Sequence, residues 1–357
     1  MFAQTEASSA NPVETPAPAA KPQPRPMTVL VSATDAKGGA VTNLTKESVQ
    51  LTDTGRTTPV QSLQLAESLP VEMIIVLNSS RNTFKQQQNA AIDLAQKVMR
   101  PGKDRVIVLN AGGEKTMTKP ITWETDPAKV AESVKAMDYK VGVPDAFGYE
   151  IQRDNVGMNR SGLEVQGGAM NSFFEIAWQL MVQDRSPMRR VLVTFRNPMN
   201  HAPGMNQRFQ EHVSGRHEQI IHTAQALRAM IFTIVTDEPQ QNVSGNIDIN
   251  QGYVPISSGE ASQDQVRHRD ENVNREISYA ISHGRLNVER LARDTGGRAF
   301  MGPKKNFSDA VDGIANAVKA QYALTFIPAE GVVEPRTLAV QATGATISAP
   351  KSYPHAN

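Results

Sequence analysis

Residues 71–84, VEMIIVLNSSRNTF, run from a stretch of apolar side chains straight into a cluster of small polar ones: Asn78, Ser79, Ser80, Arg81 and Asn82. A buried strand that delivers hydroxyls and amides to its C-terminal end is one way to build a binding site. Two further stretches have residue types that do chemistry. HVSGRHEQIIH contains His217 and His222 around a glutamate, as a zinc-dependent hydrolase would, but the two are five residues apart. At ~3.6 residues per turn that spacing puts them about 140° apart around a helix, on different faces. They read as solvated surface histidines. GGRAFMGPKK has the glycines of a phosphate loop, but Pro303 stands where the lysine is needed and no hydroxyl residue follows. The dense apolar stripe around Trp178 reads as core packing, and Tyr322 as an anchor for its strand.

Such residues act only if the chain positions them. From residue 70 the sequence alternates strand and helix. VEMIIVL, DRVIVLN, RRVLVTF and IFTIVT are continuous apolar runs, suited to strands buried on both faces. KTMTKPITW is polar enough to be an edge strand, and RAFMG and YALTFIP complete the strands of this region. Between them KQQQNAAIDLAQKVM, DPAKVAESVKAM, NSFFEIAWQLMV, NQRFQEHVSGRHEQIIHTAQALRAM, RLNVERLARDTGG and FSDAVDGIANAVKAQ have helical spacing. Asp126-Pro127 is a cap followed by a first-turn proline. This alternation predicts an α/β fold: a doubly wound, mostly parallel sheet with helices on both faces. Flanking it, 28–66 and RTLAVQATGATISAP alternate as short half-buried strands and are expected to pack together as a small β-sandwich. Residues 4–26 are rich in proline, alanine and serine and read as a tether. Residues 138–169 and 238–282 are long polar, turn-rich loops of the kind that carry function.

Composition narrows the function classes. With 37 Lys+Arg against 36 Asp+Glu the chain has no electrostatic footprint for nucleic acid. It has no cysteine, which excludes disulfides, thiolate metal sites and a cysteine nucleophile. No stretch approaches the ~20 apolar residues of a membrane span. FAQTEA is similar to the residues around a signal-peptide cleavage point, so the expected location is secreted, periplasmic or cell-envelope, with the signal peptide absent or removed.

The order of elements, together with VSATDAKGGAVTNLTKESVQLTDTGRTTPVQSL, VEMIIVLNSS, LARDTGGRAF, AVKAQYALTFIP and the closing APKSYP, resembles the von Willebrand factor type A (VWA) domain. More narrowly, it resembles the bacterial VWFA-related family of secreted proteins, from about residue 28 to 353. The resemblance implies a metal-ion-dependent adhesion site at the C-terminal end of the sheet. That site is built from an Asp-x-Ser-x-Ser motif, a threonine from a later loop and an aspartate, usually followed by glycine, at the end of the fourth strand. Mg2+ there takes hard oxygens in octahedral array, with carboxylates supplying charge.

Matched position by position, the chain departs from that pattern. The first aspartate is Asn78, the first serine is kept as Ser80, and the second is Asn82. Asn171 stands at the threonine, Glu175 at an aspartate of the same helix, Arg196 at the site aspartate and Asn197 at its glycine. A fixed cation beside a divalent one costs several kcal/mol at ~4–5 Å, even at an effective dielectric of about 20. No metal, and Mg2+ in particular, is therefore expected at Asn78, Ser80, Asn82, Asn171 and Arg196, and no cofactor motif occurs elsewhere.

These residues point to a non-catalytic VWA-like protein-binding or adhesion module that is metal-independent. Asn78, Ser80, Arg81, Asn82, Asn171, Arg196 and Asn197 would meet a protein partner, with Arg196 holding a carboxylate. Four other readings stay open: polar loop residues inherited without a ligand, a structural subunit of a cell-envelope assembly, a divalent-metal-dependent adhesion module, and a hydrolase, which would need His and carboxylate side chains converging at the C-terminal end of the sheet. Glu175 is the alternative internal partner for Arg196. The organisation expected is a Pro-rich tether over 1–26, an N-terminal β segment over 27–69, a VWA-like α/β domain over 70–328, and a C-terminal β segment over 329–357 packing on 27–69.

Overall fold

The computed structural model describes residues 25–77, 83–110, 122–137, 177–178, 181, 187–196, 218–235, 286–301, 307–329 and 336–353. The N-terminal strands are β1 (Met27–Thr34), β2 (Val49–Asp53), β3 (Arg56–Thr58) and β4 (Val60–Leu65). There follow β5 (Val71–Leu77), α1 (Phe84–Val98), β6 (Arg105–Asn110), α2 (Pro127–Lys135), β7 (Arg189–Arg196), a helix α3 described over 218–227, and β8 (Ala229–Val235). The chain closes with α4, described over 286–294, then β9 (Ala299–Met301), α5 (Ser308–Lys319), β10 (Gln321–Phe326), β11 (Arg336–Ala342), β12 (Thr346–Ser348) and β13 (Ser352–Tyr353).

Among the described residues β5 to β9 form a parallel sheet in the order β6-β5-β7-β8-β9. Every residue of β5 and β8 is buried, as continuous apolar runs require when both faces are covered. Met73, Ile75, Val191, Val193 and Phe232 pack on α1, α2 and α5. Ile74, Val76, Leu192 and Ile231 meet Trp178, Met181, Ile220, Ala224 and Leu291 on the opposite face. The sheet is thus doubly wound. Asp126 caps α2 by accepting from the Ala128 amide at 2.8 Å, with Pro127 in the first turn.

The terminal strands form the sandwich, as two antiparallel sheets ordered β12-β1-β10-β4 and β13-β11-β2-β3. Thr54 and Gly55 both take positive φ (49° and 78°), the two-residue turn that matches the twist of β2 and β3. The sequence reading placed 321–326 in the α/β domain, but β10 is an inner strand of the sandwich, antiparallel to both β1 and β4. The reason lies in its pattern. In QYALTF the residues Tyr322, Leu324 and Phe326 face the sandwich interior, while Ala323 faces the α/β core. In the parallel strands β5 and β8, by contrast, both alternating sets of residues are fully buried. Because β4 and β10 are neighbours, with Leu65 beside Tyr322, the whole stretch 66–320 is inserted between two adjacent strands. The Tyr322 hydroxyl donates to the Val41 carbonyl and accepts from the Leu44 amide, both at 3.0 Å, and so anchors β10 to the β1–β2 connection.

Inside the sandwich Asp53, Arg336 and Tyr353 form a buried polar group. Arg336 Nη1 lies 3.5 Å from both Asp53 Oδ2 and the Tyr353 hydroxyl, and Asp53 also accepts from the Ala329 amide at 2.7 Å. Burial, reinforced by Asp53, pushes the Tyr353 phenol up to about 12, against an ordinary value near 10. A raised folded-state value means that the proton is held by the native protein and surrendered on unfolding. The associated stability is complete below pH 10 and is lost as pH rises through 12. We expect the unfolding free energy to fall by about 1.4 kcal/mol per pH unit between about 10 and 12. Urea melts across that range on wild type and Tyr353→Phe, which lacks this slope, check it.

Candidate functional site

Strand β7 runs through the middle of the parallel sheet, and Arg196 is its last residue. It pairs with Val235, the last residue of β8, and stands two residues beyond Thr194, which pairs with Val76 of β5. Side chains alternate along a strand. Val191, Val193 and Phe195 face α1 and α5, which leaves Leu192, Thr194 and Arg196 on the face covered by Trp178, Met181 and α3. Arg196 is only 9% exposed. The guanidinium therefore sits at the C-terminal edge of the sheet, where strand–helix connections of such folds gather.

Strand β5 brings its chain to the same edge, ending at the fully buried Leu77, and α1 departs from there six residues later behind Thr83. The Thr83 carbonyl accepts from the Gln87 amide at 2.8 Å, and its hydroxyl accepts from Gln87 Nε2 at 2.9 Å. Gln88, buried in the same turn, donates to the Val134 and Met137 carbonyls and pins the start of α1 to α2. The first turn of α1 holds no acidic residue. Its dipole therefore adds positive potential at this edge. Asn78, Ser80, Arg81, Asn82, Asn171, Glu175 and Asn197 lie outside the described residues, so of the expected site only Arg196 is placed. Among the described residues there is no group of three or more His, Asp or Glu able to hold a metal ion.

His222 is exposed on α3, and His217 lies outside the described residues. The GG of LARDTGGRAF is a packing device: Gly296 takes φ 82°, and its amide and that of Gly297 close the end of α4 onto the Arg293 and Ala292 carbonyls. The Asp294 carbonyl accepts from Gln225 Nε2 and from the Lys351 amide, the Thr295 hydroxyl accepts from the Ile231 amide, and Thr295 bridges to Pro350. LARDTGG and APKSYP, distant in sequence, thus form one joint between the α/β core and the sandwich.

The charge pattern at the opposite edge escaped the sequence reading. Glu72, fully buried, is gripped by Arg105 and Arg190. Asp104, also fully buried, receives Arg100 and the Val71 amide. Arg189 donates to the Leu69 and Val318 carbonyls, and burial, with Arg100 nearby, pushes its guanidinium down to about 10. Arg105 also lies over the Trp123 ring at 4.6 Å. The available signal was the charged residue opening each apolar run: Glu72, Arg105, and Arg189 with Arg190.

No family model matches the sequence, and no curated protein does. Among solved structures the chain is similar to a von Willebrand factor type A protein from Catenulispora acidiphila, at 8% identity and a TM-score of 0.40, over 93% of this chain and 74% of that one. It is also similar to the three N-terminal domains of the type V pili tip protein Mfa5 from Porphyromonas gingivalis, at 10% identity and a TM-score of 0.24. That match covers 54% of this chain and 30% of the other. Both are distant likenesses. No helix among the described residues is long and apolar enough to cross a membrane.

Proposed function

We propose that the protein is a non-catalytic, exported binding module of the VWA type, whose site at the C-terminal edge of the parallel sheet takes a carboxylate of a protein partner without a divalent metal. The observation that carries this reading is Arg196: a guanidinium, nine-tenths buried, at the end of the central strand where the resemblance calls for a metal-ligating carboxylate. A guanidinium offers only donors and a positive charge, so it suits an anion and repels Mg2+. The acid-free start of α1 adds to the same polarity. Asn78, Ser80, Arg81, Asn82, Asn171 and Asn197 would supply the remaining donors and acceptors around the partner's carboxylate.

Isothermal titration tests this in two arms. Wild-type protein titrated with Mg2+ and Mn2+ is expected to give no saturable heat, and Arg196→Asp is the variant that would recover some; tight binding by wild type overturns metal independence. An Asp/Glu-rich peptide is expected to bind wild type and to lose at least about tenfold in affinity in Arg196→Ala, the scale of a charge-assisted bidentate contact. Unchanged peptide affinity would remove Arg196 from the site. A double-mutant cycle on Arg196 and Glu175 adds a third check, because strong coupling between them in stability would make the pair structural.

A further inference from the structure

From the strand topology we infer that the β-sandwich is a mechanical clamp: it carries tension between the segment preceding Met27 and the α/β core by shear. The role rests on the reading of the chain as a tethered binding module. The mechanical claim itself concerns only the sandwich.

Strand β1, the first element after the Pro-rich N-terminal sequence, is an inner strand of its sheet. It pairs with β10 from Met27–Phe326 through Ser32–Gln321, and with β12 from Ser32–Ser348 through Thr34–Thr346. The Thr28 and Thr325 hydroxyls add a cross-strand hydrogen bond at 2.9 Å. The α/β core joins this sheet covalently at Leu65 of β4 and Gln321 of β10, and Leu65 lies beside Tyr322. Both junctions are at the end of the ladder opposite Met27. Tension that enters at Met27 and leaves through Gln321 therefore pulls two antiparallel strands from opposite ends of their ladder. In that geometry the hydrogen bonds stretch together, and none can break ahead of the rest.

The other flank of β1 is anchored as well. After β12 the chain passes to the joint with α4, where the Lys351 amide donates to the Asp294 carbonyl at 3.0 Å and the Ser352 hydroxyl bonds Gln225 Oε1 at 2.8 Å. Leu30 sinks into the core cluster of the α/β domain, and Asn316 Nδ2 donates to the Gly38 carbonyl. So β1 is gripped on both edges by strands tied back to the core, and on one face by the core itself. Tension applied instead at the Asp35–Gly39 turn acts at the Gln321 end of the ladder. It meets the pairs one at a time and peels the strand.

The test uses the full chain in single-molecule force spectroscopy. The sequence has no cysteine, so engineered ones are unique attachment points. Arg25→Cys with Glu132→Cys loads the clamp in shear, and Lys37→Cys with Glu132→Cys peels it; all three positions are exposed. At equal pulling speed the first rupture force is expected to be at least twofold higher in the shear pair. An equal or lower force overturns the inference. No ligand takes part, so such a result would leave the reading of Arg196 standing, and loss of peptide binding in Arg196→Ala would leave the clamp standing.

Discussion

Asp104→Ala is expected to destabilise the protein by about 3–5 kcal/mol, the usual consequence of removing one partner from a buried ion pair. Asp104 is fully buried just ahead of β6. Its carboxylate accepts from the Val71 amide at 2.7 Å, the Arg100 amide at 2.7 Å, and Arg100 Nε and Nη2 at 2.8 and 2.6 Å. Truncation strands the Val71 donor at the start of the inner strand β5 and frees an arginine that also holds the Glu67 and Leu69 carbonyls. Burial alone would raise the pKa of this carboxyl, but the hydrogen bonds from Arg100 and the Val71 amide outweigh it and hold the group below its ordinary value. A lowered folded-state value gives stability that is present above the unfolded pKa and lost as pH falls through the folded one. Urea melts at neutral pH measure the first effect. The same melts below about pH 4 should show wild type converging toward Asp104→Asn as the carboxylate protonates. A loss under 1 kcal/mol at neutral pH would show the carboxylate to be dispensable.

Glu72, at the same edge, titrates in the opposite sense. Its burial prevails over Arg105 and Arg190, and its pKa is raised. Its contribution is therefore lost as pH rises through the folded value, so part of the acid sensitivity of one carboxylate is offset by the other.

Gly297→Ala is expected to cost about 3 kcal/mol or more, at the upper end of overpacking effects. A Cβ built there would fall 1.9 Å from the Ile231 carbonyl oxygen and 2.6 Å from its carbon. Both are backbone atoms of β8, an inner strand, so no side-chain rotation can relieve the clash. Relief requires separating the α4–β9 connection from the sheet, which also pulls on the joint with the C-terminal segment. Gly344→Ala is the control: its φ is 78° but nothing lies within 4 Å, so only backbone strain of about 1 kcal/mol is expected. Chemical denaturation of the two variants should separate a close approach from a turn, and equal losses would show that the contact at Gly297 is relieved at little cost.

What could be read from the sequence follows from how local its physics is. Strands β5, β7 and β8 were legible because burial on both faces forces continuous apolar runs, and α2 because Asp126 and Pro127 mark its start chemically. Strand β10 was misplaced because its position in the chain, straight after α5, imitates another α/β repeat; only the alternation of Tyr322, Leu324 and Phe326 gave it away. The meeting of Asp294 and Thr295 with Pro350 and Lys351 is a tertiary fact with no local signature. Arg196 was identified at the strand end by matching a motif, and the structure puts it at the C-terminal edge of the sheet. That it is nearly buried could not have been read from its type, since arginine is usually exposed.

The insertion of residues 66–320 between β4 and β10 also sets an order of events during synthesis. Strands β1 and β4 leave the ribosome well before their partners β10 and β12, which follow only after residues 66–320 have been made. Until then β2 and β3 can close only their own small hairpin, and the inward faces of Val29, Val31, Leu63 and Leu65 have no sheet to join. The sandwich is therefore a late-folding unit, closed only once the strands on either side of the insertion meet, and its early strands wait unpaired while the insertion is made.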